Sequence, residues 1–105
     1  MAADEPDRIE INLGDAILIL DGNVLELFFH DALLTRRWHV CHVSVDAKPS
    51  RKGDRLKYTI GTRLNDTMMD PLPFDVPPAD QPRVAALFEE AMRRRAASVA
   101  APPPA

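Results

Sequence analysis

A period-two alternation of apolar and polar residues recurs from Ile9 to Val76, and one amphipathic helix follows it at Asp80–Arg95. No other feature constrains the fold of this chain as strongly. Successive side chains of a strand point to opposite faces, so each alternating segment buries one face and wets the other. Ile9, Ile11 and Leu13 alternate with Glu10, Asn12 and Gly14, and Gly14 offers a kink or turn before Asp15–Leu20. Asp21-Gly22-Asn23 is the clearest hairpin signal, because Gly supplies the positive φ of a tight turn and apolar runs flank it. Val24–Phe29 is then the return strand.

After a less regular stretch comes a strand over Arg37–Val45, in which Trp38 and Val40 are in one phase and Val43 and Val45 in the other. A bulge near Cys41-His42 would reconcile the two phases. Lys48–Asp54 reads as a polar loop, and Leu56, Tyr58, Ile60, Thr62 and Leu64 then alternate cleanly. Asn65–Pro71 reads as a loop. Leu72, Phe74 and Val76 follow as a strand whose prolines confine it to a sheet edge, since proline donates nothing to a ladder.

Asp80 is the expected helix N-cap and Pro82 suits the first turn. Val84, Leu87, Phe88, Ala91 and Met92 form one apolar stripe, and Arg93, Arg94 and Arg95 are expected in the last turn. The pattern is therefore α+β, mostly β: an antiparallel meander with one C-terminal helix. Residues 1–8 and the Ala/Pro-rich residues 96–105 are expected to be disordered, which leaves 9–95 as one domain.

Charge is distributed unevenly over the 105 residues. The net charge is −3, yet residues 1–31 hold eight acids and one base, whereas residues 32–63 hold eight bases and two acids. An acidic whole speaks against nucleic-acid binding, where a basic domain is expected. The acidic N-terminus lacks the pattern of a secretory signal, and the longest apolar run, Ala16–Leu20, is far short of a membrane span. A single cysteine, Cys41, fits a reducing compartment, so the expected location is the cytoplasm.

The residues from Leu20 through Asn23, with Arg37-Trp38-His39-Val40, Val43-Ser44-Val45 and the helix Val84–Met92, resemble the bacterial pleckstrin-homology-like (PH-like) domains. The similarity lies in pattern over most of residues 9–95. The resemblance implies a bent antiparallel roll of seven strands, with the helix packed over one opening. It also implies a non-enzymatic binding module in which self-association is plausible. The phosphoinositide mode of eukaryotic PH domains uses basic residues flanking the first hairpin loop. Here that loop has Asp21 and Glu26 and no Lys or Arg, so that mode is not expected.

Two surfaces stand out. Val24–Phe29 is apolar on both faces apart from Glu26, and Ile17 and Ile19 oppose Leu18 and Leu20. One face of this hairpin therefore needs cover from the helix, a second copy or a partner. Ile17, Ile19, Val24, Phe28 and Trp38 are the candidate protein interface. The basic island supplies the alternative, an anionic-ligand or membrane-surface patch at Arg36, Arg37, Arg51, Lys52 and Arg55; a merely solvated face explains it as well. His39, Cys41 and His42 have the spacing with which a zinc site begins, but nothing supplies the remaining ligands. No nucleophile elbow, phosphate-binding glycine loop or HExxH motif is present. The expectation is no catalytic residue, no metal and no cofactor.

Overall fold

The computed structural model describes residues 7–30, 34–49 and 55–100. They form seven strands and one long helix: β1 (Arg8–Asn12), β2 (Ala16–Asp21), β3 (Val24–Phe29), β4 (Leu34–His39), β5 (Val43–Pro49), β6 (Leu56–Leu64), β7 (Thr67–Val76) and α1 (Gln81–Ala100). The strands make two antiparallel sheets, β1-β2-β3-β4 and β5-β6-β7, each in chain order. The mostly-β architecture with a C-terminal helix is thus the one the alternation predicts.

Local chemistry explains the turns. Gly14 (φ 92°) sits between β1 and β2, where its amide donates to Asn12 Oδ1 at 2.9 Å. Gly22 (φ 59°) occupies the tight β2–β3 turn, at a backbone conformation that costs glycine little. Asn65 (φ 57°) does the same for β6–β7, because asparagine tolerates the left-handed region.

That last turn corrects an expectation. Instead of a loop over Asn65–Pro71, two residues turn the chain and β7 begins at Thr67. The register shifts between Ile60 and Thr62, and Asp70 on β7 adopts φ 52°, which lets the strand absorb an extra residue beside Pro71. As predicted, β7 is an edge strand, so its prolines interrupt no inner ladder. Gly61 on β6 leaves the space in which the Met68 side chain lies.

The strand expected over Arg37–Val45 is divided. A 3-10 turn at Val40–His42 replaces the expected bulge and carries the chain from the first sheet to the second. It resolves the phase conflict by letting Trp38, Val40 and Val43 all enter the core. His39 Nδ1 accepts from the Cys41 amide at 3.1 Å and holds the turn.

One core joins both sheets to the helix. Leu18, Leu20, Leu25 and Leu27 from the first sheet meet Tyr58, Ile60, Phe74 and Val76 from the second and Val84, Leu87, Phe88 and Ala91 from α1. Tyr58 stacks on Phe74 and Phe88 with ring centroids 5.8 and 5.2 Å apart, and burial pushes its phenol pKa up.

The helix continues past Arg95 to Ala100, so Arg93–Arg95 lie inside it rather than in its last turn. Arg94 Nε pairs with Glu90 at 2.8 Å, and its Nη1 donates at 2.7 Å to the carbonyls of both Asp7 and Gly22. One guanidinium thereby ties the helix to the start of β1 and to the β2–β3 turn. Asp80, expected as the N-cap, stands just before α1 and accepts from Arg83 at 3.3 Å.

Candidate interaction surface

Register places side chains on the outer face of the first sheet in three rows. Asn12, Ile17, Phe28 and Thr35 are adjacent across β1 to β4; Glu10, Ile19, Glu26 and Arg37 form the next row; Arg8, Asp21, Val24 and His39 form the third. Ile17, Ile19, Val24 and Phe28 are therefore neighbours, as the sequence predicts. None of them belongs to the buried core or packs against it. Val24 is 39% exposed, and the other three are half-buried among side chains of their own face. The Phe28 ring meets the edge of His30 at 5.2 Å.

Charges on this face are paired within it. Arg37 Nε is 3.0 Å from Glu26 Oε2, and Arg8 reaches Glu10 at 2.8 Å and Asp21 at 3.4 Å. The hydrogen bond that Arg8 donates to Glu10 is the main cause of its raised pKa. Arg8 was expected in a disordered N-terminus; it opens β1 instead. Two cations and three carboxylates leave the face close to neutral. These pairs were missed from the sequence, because they follow from which residues stand opposite each other across the ladder.

Trp38 does not share this surface. It pairs with Leu25 and is 6% exposed, on the inner face of β4, because its phase is that of the core leucines. Its place in the candidate interface is corrected to a core position.

The basic residues do not converge either. Arg36 and Arg37 are consecutive on β4, so they point to opposite faces. Arg36 Nη1 donates at 3.0 Å to the Asp70 carbonyl, linking β4 to the irregular part of β7 across the two sheets. Arg37 is held by Glu26, while Arg55 precedes β6 and lines a cleft with Asp15 and Asp75. Arg51 and Lys52 lie outside the described residues.

The rings of His39 and His42 stand 5.9 Å apart, but His39 Nδ1 is already engaged by the Cys41 amide. Among the described residues no group of three or more His, Cys, Asp or Glu side chains is placed to hold a metal ion. Among them, too, no helix is long and apolar enough to cross a membrane.

Leu64 and Met69, 56% and 44% exposed, are large apolar side chains at the end of the β6–β7 hairpin that the sequence reading did not single out. Compared with known proteins, the chain matches no family model, no curated protein and no solved structure at a significant level.

Proposed function

We propose that this chain is a non-enzymatic, PH-like interaction module that works by protein–protein contact, and that the partner at the outer face of its four-stranded sheet is a second copy of the chain. One observation carries the reading: Ile17, Ile19, Val24 and Phe28 form a contiguous apolar strip on a sheet face that contributes nothing to the core. A single wet face would alternate with polar residues, so a strip of this kind marks a contact surface.

Self-pairing is favoured by the charge around the strip. A two-fold contact sets a surface against itself, so a face of one sign would repel its own copy. Here Arg8 and Arg37 balance most of Glu10, Asp21 and Glu26. PH-like membership is supported by the order of four strands, three strands and one helix. The free thiol of Cys41 suits the reducing cytoplasm, where we place the protein. The alternative, an anion- or membrane-binding patch, has less support, because Arg36 and Arg37 already have partners on opposite faces.

Light scattering after size exclusion tests the reading. The expected mass is twice the 11.7 kDa of one chain, unchanged between low and high salt. Phe28→Glu is expected to yield a folded monomer. A wild-type protein that stays monomeric at every concentration overturns the proposal.

A further inference from the structure

A second, chemically different site lies at the end of the molecule away from the Gly22 turn. There a cleft of about 370 Å³ is bounded by the β1–β2 turn, the end of β3, the approach to β6 and the end of β7. Leu13, Ala16, Phe29 and Phe74 supply its apolar lining, and Asp15, Arg55 and Asp75 supply its charges. Ala16 and Phe74 belong to the core, and Leu13 and Phe29 pack against it, so the apolar wall is held by the fold itself. The turn carrying Asp15 is fixed as well: the Leu13 amide donates to the Ala16 carbonyl at 2.8 Å, and the His30 amide to the Asp15 carbonyl at 3.0 Å.

Several arginines elsewhere are already paired, whereas among the described residues the charges of the cleft are not. Arg8, Arg37, Arg83 and Arg94 each pair with a carboxylate. Arg55, Asp15 and Asp75 form no ion pair or side-chain hydrogen bond with a described residue. Both signs are therefore presented around an apolar wall with no partner among the described residues, in a volume of the size that small-molecule sites have, roughly 300–1,000 Å³.

We infer that this cleft binds a small zwitterion with an apolar body, the chemistry of a free α-amino acid with a large apolar side chain. The carboxylate of the ligand meets Arg55, its ammonium meets Asp15 and Asp75, and its side chain lies against Phe29 and Phe74. A simple anion is opposed by two aspartates and a simple cation by the arginine, whereas a zwitterion satisfies all three charges. The site is independent of self-association, because Ala16 and Phe29 face inward while their neighbours Ile17 and Phe28 face outward.

The test is an amide-resolved NMR titration of the whole chain with three probes: L-phenylalanine, 2-phenylethylamine, which carries only the ammonium, and 3-phenylpropanoate, which carries only the carboxylate. L-phenylalanine is expected to shift the amides of Asp15, Ala16, Phe29 and Asp75 saturably. Each singly charged probe is expected to bind about tenfold more weakly, the effect of losing one charged contact. Arg55→Gln is expected to abolish the preference for L-phenylalanine over the amine, with the spectrum elsewhere unchanged. Three results overturn the inference: no saturable shift at millimolar L-phenylalanine, equal binding of the amine, or shifts scattered away from the cleft.

Discussion

The two faces of the β2–β3 hairpin are built from the same kinds of residue and have opposite fates. Leu18, Leu20, Leu25 and Leu27 point inward and are fully buried between the second sheet and α1. Ile17, Ile19, Val24 and Phe28 point outward and, among the described residues, neither join the core nor pack against it. Hydrophobicity does not separate the two sets, and register does, because a slip of one residue would exchange them entirely. The chain thus carries apolar residues for two buried faces and itself buries one. The polar residues of the outer face, Glu26 with Arg37 and Arg8 with Glu10 and Asp21, mark it as a surface rather than a second core.

Adjacent residues give the sharpest way to break this contrast. Leu27→Asp places a carboxylate where the side chain has no exposure and no partner. Burying an unpaired charge costs enough to consume most of the roughly 5–15 kcal/mol that stabilises a domain. The variant is expected to lose its cooperative thermal transition by circular dichroism. Phe28→Glu, one residue along, should change stability by about 1 kcal/mol or less. Equal loss of stability in the two would show that the outer face is core.

A smaller effect comes from the residue that holds the inner face covered. Arg94 fixes α1 to the Asp7 and Gly22 carbonyls, and its side chain is only 14% exposed. Arg94→Met keeps the aliphatic stem but removes a donor from the Asp7 and Gly22 carbonyls and from Glu90; Asp7 retains the Gly22 amide, and Glu90 retains Arg93. The expected cost is about 1–3 kcal/mol, read as a lower urea midpoint with an unchanged slope. The proposed dimer contact lies on the opposite face, so association should survive in the folded fraction.

Much of this contrast was legible in the sequence. The alternation of Ile17 and Ile19 with Leu18 and Leu20, and the turn at Gly22, were enough to group the outer residues, because strand periodicity and a two-residue turn fix register between neighbours. The helix stripe was legible for the same kind of reason.

What escaped depends on contacts between distant parts of the chain. Trp38 shares a phase with Leu25 only through the β3–β4 pairing, and the passage from one sheet to the other at Val40–His42 leaves no local signal beyond a change of phase. Arg36 and Arg37 look like one patch along the chain and stand on two faces in space. Arg8 looked like part of a polar tail, yet pairing with Asp21 across the ladder gives it a place in β1.

The finest test of the comparison lies inside the outer face, at the ion pair between Ile19 and the sheet edge. Arg37 is 71% exposed in its side chain and Glu26 24%, so their contact at 3.0 Å is largely screened by water. Exposed pairs of this kind contribute about 0–1 kcal/mol to folding, and Arg37→Ala should leave the melting temperature nearly unchanged. Association is a different matter. Glu26 stands next to Ile19 in the register, within the apolar strip, and a two-fold contact brings the same carboxylate from each copy toward the interface. In the proposed dimer, loss of Arg37 leaves both carboxylates uncompensated, and association is expected to weaken about tenfold, or about 1.4 kcal/mol. A dilution series by light scattering measures this directly. Adding Glu26→Gln to Arg37→Ala removes the uncompensated charge and should restore most of the lost affinity. If Arg37→Ala leaves the dimer untouched, the two copies meet somewhere other than this strip.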